Sequence, residues 1–315
     1  MPRFLGLALL ALLSGCAAVR RPQPPAAPWL APLGEADKAL HRRQYAEAQR
    51  KFQAALQKAD ASQGPPAADA AAESLRGLAF VEYVQGRYAQ AEAYYARVLA
   101  SLEAGPAAPP LEVVAALDDL AEVESLQGER NKAALHCERA LALSEKIRGP
   151  EHPSLVRRLR SLALLYSAQG RADKAEEAYS RALALAEKAG APEVEDIVSD
   201  LAMVYQGQNR LKEAEPLYRR ALALREKRLG ETPELVSTLN DLALFYEAQR
   251  RFDQAEGPLR RSLAILEKAY GPRDGRLAPT LELYSDLLHQ MGRHEGARIV
   301  KARANALRGR AEGRR

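Results

Sequence analysis

The chain has 315 residues, 28% charged and 47% hydrophobic, which excludes disorder by composition and leaves material for a sizeable core. Only 6% is aromatic, and the apolar share is carried by Ala and Leu, a mix that favours helix over strand. The formal net charge is +5, but residues 301–315 hold six basic side chains and one acidic, enough to account for all of it. A near-neutral body with a basic tip argues against a nucleic-acid groove, and no nucleic-acid partner is expected.

In chain order, residues 1–15 read as a secretory signal. Arg3 precedes an uninterrupted apolar run from Phe4 to Leu13. The run falls short of the about 20 apolar residues that a membrane-crossing helix needs, and its length suits the hydrophobic region of an export signal. It ends in Leu13-Ser14-Gly15-Cys16, which resembles the lipobox of bacterial lipoproteins. The alternative is a buried N-terminal helix with a chance cysteine. The resemblance implies cleavage before Cys16 and acylation of Cys16, with palmitate-type chains each contributing about 0.8 kcal/mol per buried methylene. It also implies the bacterial cell envelope as location. Ala17 rather than Asp follows the cysteine, which in lipoproteins of Gram-negative bacteria points to the outer membrane facing the periplasm rather than the inner membrane. Residues 16–34 then contain Pro22, Pro24, Pro25, Pro28 and Pro32, a density expected to give an extended tether. Trp29, the only tryptophan, is read as packing against the first helix.

From residue 35 to 307 the sequence repeats. A degenerate unit is visible in Tyr45-Ala46-Glu47-Ala48, Phe52 and Ala55-Leu56. Six recognisable units follow, led by Leu78, Leu120, Leu162, Leu201, Leu242 and Tyr284, at intervals of 42, 42, 39, 41 and 42. Each leading residue is followed by Ala or Ser. Four residues beyond the leading one stands Tyr166, Tyr205, Tyr246 or Leu288 in the last four units. Glu82 and Glu124 depart from this, with Tyr83 as a neighbouring substitute. A polar turn comes next, such as Gln127-Gly128-Glu129 or Gln208-Asn209-Arg210, where Gly and Asn suit positive φ. The small residues Ala91, Ala133, Ala175, Ala214, Ala255 and Ala297 mark a second helix. From Leu120 to Lys146, Leu162 to Lys188, Leu201 to Lys227 and Leu242 to Lys268 the spacing is always 26, so length varies only in the loop after the second helix. Pro216 and Pro258 fall early in second helices and are not expected to break them. Residues 308–315 are read as a basic tail, a solvating end rather than a polyanion or membrane contact.

This pattern resembles the tetratricopeptide repeat. Its period of about 42, with connections such as Gly149-Pro150-Glu151-His152-Pro153, is similar to the kinesin-light-chain type of that family. The resemblance implies an all-α fold of tandem helix–turn–helix pairs stacked as a right-handed superhelical solenoid. It also implies a function in binding a protein or peptide. With the leading residue called position 7, positions 4, 7, 8 and 11 form the core stripe, as in Leu239, Leu242, Ala243 and Tyr246. Positions 2, 5, 9 and 12 lie on another stripe, which in the family faces the groove. The candidate groove residues are Asp118, Glu122, Arg160, Leu164, Ser199, Met203, Gln206, Asn240, Leu244 and Glu247. Leu164, Met203 and Leu244 are apolar there, and Arg160, Ser199 and Asn240 are placed to hydrogen-bond an extended peptide. The alternative is that the three apolar residues pack against the next unit. In the family, Asn at position 5 often holds the ligand backbone, and only Asn240 matches.

No chemistry is expected. The five histidines show no zinc-protease spacing, and His289 and His294, five apart near a helix end, are read as solvated surface. Cys137 stands at an aromatic position of the repeat and is read as a core hydrophobe. No phosphate loop or nucleophile elbow occurs. The chain is therefore read as no enzyme, with no cofactor, no metal and no small-molecule substrate. The expected function is a membrane-anchored scaffold or adaptor in the bacterial cell envelope. The alternative is a chaperone-like holder of secreted or outer-membrane clients.

Overall fold

The computed structural model describes residues 27–104 and 109–312, with side chains to residue 309. Cys16, its lipobox and most of the expected tether lie outside the described residues. Within them the chain is all helix: fourteen α-helices, two single-turn 3-10 segments and no strand. No described helix is long and apolar enough to cross a membrane. The chain divides into two compact units, one ending at Gly77 and the other beginning at Leu78.

The first unit contains α1 (Leu30–His41), α2 (Tyr45–Asp60) and the start of α3 (Pro65–Val84). The helix α1 begins four residues before the expected end of the tether. Pro32 does not prevent this, because it lies in the first turn, where the backbone N–H has no intrahelical acceptor in any case. Trp29 is buried at the start of α1. Leu33, Ala36 and Ala39 of α1 and Ala48, Phe52 and Ala55 of α2 are buried, so the degenerate unit is a genuine helix pair. Gly77 lies against the Phe52 ring: a Cβ added there would come 2.4 Å from its nearest carbon.

The second unit takes in the end of α3, then α4 (Tyr88–Ala104), α5 (Pro110–Leu126), α6 (Arg130–Arg148), α7 (Leu155–Ala168) and α8 (Ala172–Ala189). It continues with α9 (Val194–Gly207), α10 (Leu211–Leu229), α11 (Val236–Ala248), α12 (Phe252–Tyr270), α13 (Ala278–Gln290) and α14 (His294–Glu312). Packing runs almost wholly between sequence neighbours, with first helices also touching at α7–α9 and α11–α13. That is the signature of a stack in which each pair buries its apolar stripe against the next. The small residues do what their size permits. Ala79, Ala163, Ala202, Ala133, Ala175, Ala214 and Ala255 are completely buried, letting the two helices of a pair approach closely. Where the last pair has Ser285 instead of Ala, its hydroxyl donates to the Ala297 carbonyl at 3.0 Å, crossing from one helix to the other.

Both interior prolines are absorbed, α10 and α12 continuing through Pro216 and Pro258. The expected basic tail is not a frayed end as far as it is described. The helix α14 carries on to Glu312, anchored by buried Ala304 and Leu307 and by an Arg308–Glu282 ion pair. Ala302, Ala304, Ala306 and Leu307 are strong helix formers, and their propensity carries the helix past Arg308.

Candidate functional site

The first helices carry a row of exposed apolar side chains. Leu164 on α7 is 45% exposed, Met203 on α9 50% and Leu244 on α11 41%, so at position 9 about half of each apolar side chain meets water. Phe80 on α3 continues the row and stacks on Tyr83, with ring centroids 6.4 Å apart. Glu122 interrupts it on α5, accepting a hydrogen bond from the Tyr83 hydroxyl at 2.6 Å. Between α5 and α7 a cavity of about 540 Å³ opens, lined among others by Asp118, Glu122, Leu126, Arg157, Leu164 and Ala168. Leu126, one residue beyond position 12, is 49% exposed and was not singled out in the sequence. Its signal was an apolar side chain beside the polar turn.

Position 5 has a different occupation from the expected one. The Arg160 guanidinium donates to Asp200 at 2.8 Å and to Asp196 at 3.3 Å, both on the next first helix. Asp118 accepts from Arg158 at 3.1 and 2.6 Å. Asn240 donates through Nδ2 to Thr280 Oγ1 at 3.1 Å, while its Oδ1 is buried without a hydrogen-bond partner. These side chains cross-link successive first helices, contacts that the sequence reading of Arg160 and Asn240 did not include. Their partners stand 36 or 40 residues away, one repeat along, which no local pattern reveals. Burial pushes the carboxyls of Asp118 and Asp200 up, against the pull of Arg158 and Arg160. Ser199 is half-buried on the same row. Gln206 accepts from the Tyr218 hydroxyl at 2.7 Å, and Glu247 accepts from Gln290. Burial raises the Glu247 carboxyl, and Asp286 nearby adds to the rise.

A second set of contacts lies along the turns. Tyr166 donates to Glu138 at 2.6 Å, Tyr205 to Glu176 at 3.1 Å, Tyr246 to Glu215 at 3.3 Å and Tyr284 to Glu256 at 2.9 Å. Each bond ties a first helix to the second helix of the preceding pair. The turn arginine of the later pair joins in: Arg251 reaches Glu215 at 2.6 Å and covers the Tyr246 ring at 4.7 Å. Arg210 repeats this with Glu176 and Tyr205, and Arg293 reaches Glu256 at 3.0 Å. The sequence carried a signal for this clamp, namely a Glu directly after the small Ala at 176, 215 and 256 and an Arg closing the turn at 210, 251 and 293. Tyr83, expected to substitute for the missing aromatic of the early units, donates to Glu122 on the next first helix and not to a preceding second helix. Buried Glu82 pairs with the turn residue Arg87, and buried Glu124 with His136 at 2.8 Å.

Cys137 is buried, and burial pushes its thiol up to about 12, so it is a packing group with no reactive thiolate near neutrality.

Comparison with known proteins agrees with this architecture. The chain is similar, at 24% identity and a TM-score of 0.57, to nearly identical TPR-like repeats of a putative kinesin light chain from Podosopora anserina, covering 62% of this chain and 94% of that one. It is similar to apo RapI at 14% identity and a TM-score of 0.62, over 90% and 99% of the two chains. A tetratricopeptide repeat protein from Parabacteroides merdae matches at 18% identity and a TM-score of 0.59, over 89% and 93%. At these identities the likeness concerns the fold alone. No curated protein sequence matches. Tetratricopeptide repeat models match residues 71–104, 112–188, 193–268 and 234–308, and no enzymatic family is indicated. With well over half of its length matched, and with seven helix pairs among its described residues, the chain belongs to the tetratricopeptide repeat family, whose fold serves protein–protein interaction.

Proposed function

We propose that this protein is a lipid-anchored scaffold of the bacterial cell envelope, tethered through Cys16 and binding a protein partner along the first helices of its middle pairs. The observation that carries the binding face is the exposed row Leu164, Met203 and Leu244. Their side chains remain in contact with water although the neighbouring position-5 groups are used inside the stack, a pattern that suits apolar recognition of a partner. The anchor rests on Leu13-Ser14-Gly15-Cys16 and the apolar run before it.

Crosslinked pull-down from the native cell tests both parts. Replacing Leu164, Met203 and Leu244 together with Glu is expected to abolish capture of a stoichiometric partner, with helicity unchanged. Leu135→Glu, at a 65% exposed site on α6, serves as the control. Undiminished capture by the triple variant would overturn the binding face. Cys16→Ser is expected to move the chain out of the membrane fraction, and continued membrane retention without acyl incorporation would overturn the anchor.

A further inference from the structure

His289 is the penultimate residue of α13 and His294 the first of α14. Their Nδ1 atoms are 3.2 Å apart and their ring centroids 4.8 Å apart. Both side chains are exposed. The turn itself creates this proximity: the same two positions in an earlier pair hold Tyr83 and Tyr88, whose rings are 6.0 Å apart. The last pair is distinguished by its chemistry, since both positions carry an imidazole.

Two cis ligands on one cation at about 2.0–2.1 Å are separated by a chord of about 3.2 Å when the angle at the metal is about 100°, between octahedral and tetrahedral values. The Nδ1 pair already has that separation. The surroundings favour a cation. Asp286 lies one turn before His289 on the same face of α13, close enough to raise the Glu247 carboxyl. The neighbouring Arg293 guanidinium is turned to Glu256. No third His, Cys, Asp or Glu joins the pair among the described residues.

We propose that His289 and His294 form a two-imidazole site for a late first-row divalent cation, Ni2+, Cu2+ or Zn2+, with water completing its coordination and both Nδ1 atoms as ligands. Imidazole nitrogen suits these ions, and a site with two protein ligands on the surface holds its cation exchangeably. Occupancy would staple α13 to α14 across the Met291-Gly292-Arg293 turn and place positive charge beside Glu247 and Asp286.

Isothermal titration of the full chain with Ni2+, purified without a histidine tag, tests this. One saturable cation per chain is expected, lost in His289→Gln and equally in His294→Gln, and kept in His41→Gln. Circular dichroism of each variant should match the parent, since both side chains are exposed. Absence of saturation up to about 1 mM cation, a free energy near −4 kcal/mol, would overturn the site and leave the pair as an ordinary N–H···N hydrogen bond. Binding that survives either single variant would overturn it as well.

Discussion

Along the turns, the side chains of each pair are used to hold the next pair. Glu215 takes Tyr246 and Arg251, and Glu256 takes Tyr284 and Arg293. Along the first helices, the polar residues at position 5 are used in the same way, whereas position 9, four residues on, is left in water at Leu164, Met203 and Leu244. One edge of the stack is thus stitched by ionic and aromatic contacts, and the other separates stitching from display within a single helical turn. The difference teaches that stacking pairs of 39–42 residues needs a fixed register only at a few positions, which leaves the other exposed positions of the first helices free to vary.

The largest expected effect on stability comes from breaking the clamp at its centre. Glu215→Ala leaves the Tyr246 hydroxyl and the Arg251 guanidinium without their shared acceptor. A loss of about 1–3 kcal/mol is expected, read as a lower urea midpoint. Partner capture should be unaffected, because no position-9 residue is touched. Equal losses of stability and capture would remove the distinction between the two edges.

Acid separates the edges in the opposite direction. Hydrogen bonds from Arg210 and Arg251 hold the carboxyls of Glu176 and Glu215 below their ordinary 4.5. For Glu256 burial opposes, but Tyr284 and Arg293 prevail, and it too is lowered. A carboxyl lowered on folding adds stability that is fully present above its unfolded pKa and is lost as pH falls through the folded value. Asp118 and Asp200, raised by burial, behave inversely: their penalty is complete above their folded values and is relieved on acidification. Denaturation measured from about pH 6 to about pH 3 should therefore fall less steeply with acid in Glu215→Gln, and more steeply in Asp118→Asn. The same slope in both variants would contradict the assignment.

The smallest effect concerns the turns themselves. Gly170 and Gly292 have φ of 73° and 75°, but Arg250 occupies the equivalent conformation at 57°. A side chain there costs about 1 kcal/mol against glycine, partly offset by the freedom glycine has when unfolded. Arg250→Gly should leave stability unchanged or raise it by up to about 1 kcal/mol. Thermal melting checks this, and a clear destabilisation would mean that the Arg250 side chain contributes contacts the turn depends on.

Period, pair boundaries, core stripe and turn positions were legible in the sequence because they are local. Helical periodicity lies within a single element, and a small residue facing a small residue is visible in the bare text, as at Ala163 and Ala175. The helical start at Leu30 was missed because proline density was read as extension, although a first-turn Pro32 costs the helix no hydrogen bond. The groove was half legible. The spacing put Leu164, Met203 and Leu244 on a face away from the core stripe, but only the stacked pairs decided that they stay exposed while Arg160 and Asn240 reach across to their neighbours. That decision depends on which side chain stands opposite, one repeat away, and on whether its charge answers. The sequence by itself determined the family and the faces of each helix, through propensity and period. The tertiary structure alone decided which polar groups are used up between pairs and that His289 and His294 meet, because those are distances between helices.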